Sequence, residues 1–290
     1  MGTTISKNLR DPFGFGNTEL AKKQAKWTPI PANISGLSIA ITGANSGIGL
    51  AATIALAEKG AKIYMLCRDK EQSMEIRDQI KGDITVLQLD VSDYKSILAL
   101  KLPPVDVFIH NAGAMFNKPK MIDWPSGPLD ETFALFLAGP YLLTKKVQSK
   151  YTIFVSSGGM YTSKLNVEKA MHPSVPYDGM DAYARCKRAQ VVLARILGHQ
   201  CEHPGWVNTP GVQKAMPKFY ERTADILRTP EEGADTIVWL AATQPKQIGF
   251  WFDREIVTEF KFPFTTHAKE EEEKLMNELD KIVAAVELKK

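Results

Sequence analysis

At 290 residues the chain is long enough for one sizeable α/β domain, and no shift in composition marks a second. Apolar residues make up 44% and charged residues 24%, and 36 basic against 33 acidic side chains leave a net charge of only +3. That balance, with no basic run interleaved with aromatics, argues against nucleic acid as a partner; no apolar run reaches the ~18 residues that cross a bilayer; and the three scattered cysteines, Cys67, Cys186 and Cys201, suggest neither a disulfide framework nor a zinc site and fit a reducing, intracellular setting.

Residues 1–35 are polar and broken by Pro12, Gly14, Gly16, Pro29 and Pro31, so they read as an N-terminal extension on the surface. Its first six residues, Met1 to Ser6, fit the N-myristoylation pattern, with Lys7 and Arg10 suited to an anionic surface; an ordinary solvated start fits as well. One myristoyl chain on Gly2 would give weak, reversible membrane association. Over 36–262 apolar runs alternate with helical patterns. Strands are expected at Leu37–Thr42, Ala61–Leu66, Ile84–Leu89, Val105–His110, Thr152–Ser156 and Ile248–Phe252, and helices near Leu50–Glu58, Lys70–Ile80, Tyr94–Leu100, Leu129–Val147 and Glu231–Ala242. Near-continuous apolar strands separated by crossovers imply an α/β fold of three layers, a doubly wound parallel sheet with helices on both faces. Residues 263–290 form a tail with an amphipathic helix at Lys269–Leu288.

The first strand runs into Thr42-Gly43-Ala44-Asn45-Ser46-Gly47-Ile48-Gly49, then a helix. Glycines there let the backbone approach a pyrophosphate, and the helix N-terminus favours its charge, so this turn reads as a dinucleotide site. At the end of the second strand Cys67 fills the place where an acid would bind a ribose hydroxyl. Arg68 follows and can pair with a 2′-phosphate, which favours NADP over NAD; a surface arginine paired with Asp69 is the plainer reading. Asp90 and Val91 end the third strand, and Asn111, Ala112 and Gly113 the fourth. Alone, Asp90 could cap a helix and Asn111 make a turn, but at consecutive strand ends they look like cofactor-pocket residues. The fifth strand ends in Ser156-Ser157-Gly158-Gly159, and 26 residues after Ser157 comes Tyr183-Ala184-Arg185-Cys186-Lys187. Tyrosine and lysine four apart share a helix face, where an ammonium can stabilise phenolate and make tyrosine usable as a general acid/base.

This ordered set (TGANSGIG, LDVSD, HNAG, VSSGG, YARCK, HPGWVNTPGV) resembles the short-chain dehydrogenase/reductase family, and VSSGGMY and HPGWVNTPGVQKAMPKF resemble its member 12 branch. The resemblance covers residues 37 to about 258. It implies a Rossmann-type fold and an NADP-dependent oxidoreductase in which Tyr183 transfers a proton to the substrate oxygen, Ser157 hydrogen-bonds that oxygen, and Lys187 holds the nicotinamide ribose and lowers the pKa of Tyr183. Pro204, Gly205 and Thr209 would flank the nicotinamide, and 212–229 would be the substrate loop. In that loop Met216, Phe219, Tyr220, Ile226 and Leu227 would give an apolar inner face suited to a small-molecule, lipophilic carbonyl such as a retinoid, steroid or lipid aldehyde. Trp206 could wall that pocket or simply pack. The helices at Phe133–Leu143 and around Val191, Val192, Ala194 and Ile196 often pair across a homodimer in the family; burial against the chain's own sheet explains them equally.

Two departures stand out. Phe136 occupies the position of an asparagine that holds a water in the family's proton relay, and a phenyl ring cannot hold that water. Lys187 and Pro204 are only 17 residues apart, which leaves about His199–His203 for a shortened sixth strand. Together they keep a second reading open, a weakly active or inactive dinucleotide-binding sensor or scaffold.

Overall fold

A computed structural model describes residues 11–289, so the Gly2 motif lies outside the described residues. The strands are β1 Ser38–Thr42, β2 Lys62–Cys67, β3 Ile84–Gln88, β4 Val105–His110, β5 Met121–Ile122, β6 Leu129–Asp130, β7 Ser149–Val155, β8 Gln200–Glu202, β9 Phe250–Phe252 and β10 Glu255–Ile256. The helices are α1 Leu20–Gln24, α2 Gly47–Glu58, α3 Lys70–Arg77, α4 Tyr94–Ala99, α5 Glu131–Phe133, α6 Gly139–Lys146, α7 Val167–Met171, α8 Gly179–Ile196, α9 Pro210–Ala215, α10 Pro217–Thr223, α11 Pro230–Thr243 and α12 Lys269–Glu287. The main sheet runs β10-β9-β8-β7-β4-β1-β2-β3, parallel except for the β9–β10 pair, while β5 and β6 make a separate hairpin.

Strand residues alternate between two cores. Ile39 and Ile41 face α2 and α11, whereas Ala40 and Phe108 face the side covered by α6, α8 and α12. Burial on both faces explains why these strands read as continuous apolar runs. The sixth strand in sheet order of the crossovers, β8, is three residues long. It still closes the sheet, because Cys201 lies in register with Phe154 of β7 and with Phe250 of β9.

The expected helix over Leu129–Val147 begins later and is interrupted. Leu129 and Asp130 form β6, Asp130 then caps α5, and a π turn at Ala134–Ala138 separates α5 from α6. The N-terminal extension is not a surface appendage over its whole length. Phe15 is 5% exposed and Leu20 2% exposed. The Asp11 carboxylate accepts from Phe15 N at 2.7 Å, Gly16 N at 2.8 Å and Thr18 Oγ1 at 2.6 Å, folding the strap on itself. Trp206 N donates to Phe15 O at 2.7 Å, and Arg228, paired with Asp253 at 2.6 Å, donates to Gly16 O at 3.0 Å.

The tail is also integral. Leu275, Leu279, Ile282, Val283 and Val286 of α12 are buried in the core shared with α6 and α8. Arg195 of α8 pairs with Glu272 at 2.7 Å, and Tyr141 of α6 donates to Asp280. The apolar faces of α6 and α8 are therefore covered within the chain; of the residues expected at a dimer face, Ile196 alone is appreciably exposed. Among the described residues no helix is long and apolar enough to cross a membrane.

Candidate active site

The carboxyl ends of β1, β2, β3, β4, β7 and β8 open into one cavity of about 920 Å³. Gly43, Asn45, Ser46, Gly47, Ile48 and Gly49 line one end. Gly43 has φ +65°, and a Cβ there would meet Ala112 Cα at 2.9 Å, so the β1–α2 turn admits only glycine. Asn111 braces this turn from beneath: its amide donates to Thr42 O at 2.9 Å and Gly43 O at 3.2 Å. Thr42 Oγ1 in turn accepts from the backbone N–H groups of Asn111 and Ala112, both at 2.9 Å. The cradle, the free N-terminus of α2 and the open space before them fit a dinucleotide pyrophosphate.

Arg68 and Asp69 line the same end. Asp69 caps α3 by accepting from Gln72 N at 3.0 Å, and no ion pair joins it to Arg68 among the described residues. Cys67 is buried, which pushes its thiol pKa up. Asp90 and Val91 also face the cavity, as do Asn111, Ala112 and Gly113. The helix cap considered for Asp90 falls to Asp93, which accepts from Lys95 N and Ser96 N; Asp90 Oδ1 holds Ser92 instead.

At the far end stand Ser157, Tyr183 and Lys187. Ser157 caps the 3-10 turn Gly158–Thr162 and accepts from Gly159 N at 3.1 Å, and its hydroxyl is near enough to the Tyr183 phenol to act on its pKa. Tyr183 and Lys187 lie one turn apart on α8, whose N-terminus is capped by Asp178. Burial raises the Tyr183 pKa above the ordinary tyrosine range, against the lowering effect of the Ser157 hydroxyl. The expected lowering by Lys187 is absent, because the lysine Nζ is turned into the protein. It donates to Val155 O at 2.8 Å and Gln190 Oε1 at 3.1 Å, and lies 5.7 Å from the Tyr183 ring centre. Burial lowers the Lys187 pKa to about 7. Phe136 fills the space between them: its ring packs edge-on against Tyr183 at 5.3 Å and lies 4.1 Å from Lys187 Nζ.

Pro204, Gly205 and Thr209 follow β8 and complete the wall. Gly205 has φ +80°, and a Cβ there would meet Phe15 O at 2.4 Å, so the strap dictates glycine. Thr209 caps α9 and lies against Gly47. Of the loop residues expected inside, Met216 and Phe219 line the cavity. Ile226 and Leu227 are instead buried in the domain, and Tyr220 is outside the lining. Trp206 walls the cavity and packs on Phe219 at 5.2 Å.

Sequence reasoning missed the outer wall, which is Phe13 and Phe15 of the strap and Lys261, Phe262 and Phe264 after β10. The signal was present in Phe13-Gly14-Phe15 and Phe260-Lys261-Phe262-Pro263-Phe264, runs of aromatics in otherwise polar segments. It also missed Gln190, which the helical pattern alone makes one more buried position on α8.

The short chain dehydrogenase family matches residues 38–216. The chain is 34% identical to human dehydrogenase/reductase SDR family member 12, over 96% of both chains. The chain belongs to the short-chain dehydrogenase/reductase family. It is an oxidoreductase of that family, of a fold that binds NAD(P) and takes small-molecule substrates. This short-chain dehydrogenase/reductase is also 28% identical to retinol dehydrogenase 14 of Mus musculus, over 73% of the chain and 75% of that protein. The solved 3-ketoacyl-(acyl-carrier-protein) reductase of Brucella melitensis complexed with NADH shares its fold, with a TM-score of 0.57 at 22% identity over 74% of this chain and 95% of that one.

Proposed function

We propose that the protein is an NADP-dependent oxidoreductase that transfers a hydride between nicotinamide and a lipophilic carbonyl or alcohol, with Ser157, Tyr183 and Lys187 at the reacting centre. One observation carries this reading: the glycine cradle with Arg68 and the Ser157–Tyr183 pair open into the same cavity, whose remaining wall is aromatic and apolar. When bound, the nicotinamide supplies the hydride.

The side chains account for the rest. Gly43, Asn45, Ser46, Gly47, Ile48 and Gly49 would hold the pyrophosphate, with Asp90, Val91, Asn111, Ala112 and Gly113 lining the cavity beside them. Arg68 would pair with a 2′-phosphate, since Asp69 is committed to α3 and no acid ends β2. Tyr183, held protonated at neutral pH by burial, donates its proton to the carbonyl oxygen, and Ser157 keeps that phenol in place. Lys187 would hold the nicotinamide ribose through its remaining N–H, and Pro204, Gly205 and Thr209 would flank the nicotinamide. Phe13, Phe15, Trp206, Met216, Phe219 and Phe262 exclude water and favour an apolar substrate body over a sugar. The name of its relative retinol dehydrogenase 14 agrees with such a class.

Phe136 against both Tyr183 and Lys187 favours slow turnover as a second reading. NADPH consumption with all-trans-retinal, decanal and a steroid ketone distinguishes them. Carbonyl-dependent consumption that Tyr183→Phe abolishes while NADPH still binds is the expected result. Turnover retained in Tyr183→Phe would refute the assignment of the proton donor.

A further inference from the structure

We infer that Gln190 is a positioning residue for Lys187, its side-chain amide bridging the backbone carbonyl of Phe136 to the lysine ammonium. This rests on the reading of Lys187 given above. Gln190 Oε1 accepts from Lys187 Nζ at 3.1 Å, and Gln190 Nε2 donates to Phe136 O at 3.4 Å. The amide orientation follows from its neighbours, because an ammonium only donates and a carbonyl only accepts. Gln190 is 2% exposed and Lys187 3% exposed, so no bulk water replaces either bond.

The accounting of donors supports the same role. A lysine ammonium has three N–H groups. Val155 O takes one and Gln190 Oε1 a second, while the face of the Phe136 ring lies 4.1 Å from the nitrogen. The third N–H has no acceptor among the described residues. Gln190, one turn along α8, therefore ties Lys187 to the π turn through both ends of its amide.

Burial lowers the Lys187 pKa to about 7, so its charge at neutral pH depends on the acceptors around it. Its titratable neighbours are Tyr183 and Cys186 on α8 and Cys201 and Glu202 on β8; burial raises the pKa of all four and so favours their uncharged forms. β7 offers Val155 O, and the π turn offers only the Phe136 ring. Cys201, Glu202 and Cys186 still raise the Lys187 pKa from a distance, and Gln190 is the side-chain acceptor in direct hydrogen-bond contact with the ammonium.

The test is the dissociation constant for NADPH alone, measured by protein fluorescence from below to above pH 7, for the full chain and for Lys187→Met, Gln190→Met and Gln190→Glu. The wild-type protein is expected to bind less tightly as pH rises through about 7, where Lys187 loses its charge. Gln190→Met, close in shape, should weaken binding roughly tenfold at neutral pH and move the midpoint down, because a hydrogen bond to a charged group is lost. Gln190→Glu places a carboxylate beside the ammonium and should move the midpoint up by about one pH unit or more. That upward shift is a gain that a damaged fold cannot produce. Unchanged midpoints in both Gln190 variants, with the pH dependence lost in Lys187→Met, would overturn the positioning role. A pH dependence that survives in Lys187→Met would instead remove the reading of Lys187 itself, and this inference with it.

Discussion

At the scale of single residues, the proposed preference for NADP rests on Arg68. β2 ends in a buried thiol rather than an acid, and Asp69, two residues on, is occupied by the α3 N-cap. Arg68→Leu should weaken NADPH roughly 10- to 100-fold, the worth of a charge-assisted hydrogen bond, and leave NADH nearly unchanged. Paired titrations of the two nucleotides check this, and equal loss of both would count against a 2′-phosphate contact. The convergence of the candidate residues was legible because three motifs couple a residue type to a strand end and a fourth to a helix face: Asp90, Asn111 and Ser157 follow β3, β4 and β7, Tyr183 lies on α8, and all four line one cavity. The direction of Lys187 was not legible. Its place on α8 follows from spacing, but its turn toward Val155 depends on what fills position 136.

Among the elements, the alternation of strands and helices was readable from apolar runs, including β4 at Val105–His110, whose bounds match. The π turn was not, because a bulge of one residue leaves the apolar pattern over Phe133–Leu143 intact. The N-terminal strap was misread as surface for a related reason. It has too few apolar residues to show a period, yet Phe15 fills a gap between Tyr161, His203, Trp206 and Phe252 at ring distances of 4.8 to 6.1 Å. Deleting that ring leaves a cavity beside Trp206 and Gly205. Phe15→Ala should therefore lower stability by about 3–5 kcal/mol, the usual cost of emptying a buried aromatic site. Urea unfolding measures it, and a change within about 0.5 kcal/mol, typical of surface positions, would show that the strap is not part of the folded core.

For the whole molecule, α12 decides which surfaces remain. It covers the apolar faces of α6 and α8 with Leu275, Leu279 and Ile282 and ties α8 down through the Arg195–Glu272 pair. A dimer through those two helices would need α12 to leave, exposing five buried apolar side chains at roughly 1.5–3 kcal/mol each. The protein should accordingly scatter light as a monomer of 32.2 kDa, and a stable dimer mass would require another interface or a displaced α12.

The central claim is that the cradle and Arg68 form a working NADP site in a sheet whose β8 has shrunk to three residues. Thermal unfolding of the purified protein with NADPH and, separately, with NADH tests it most directly. A ligand at a hundredfold excess over its Kd stabilises the folded state by about 2.7 kcal/mol. Clear stabilisation by NADPH, well above that by NADH at equal concentration, is the result expected. No shift with either nucleotide would contradict the account.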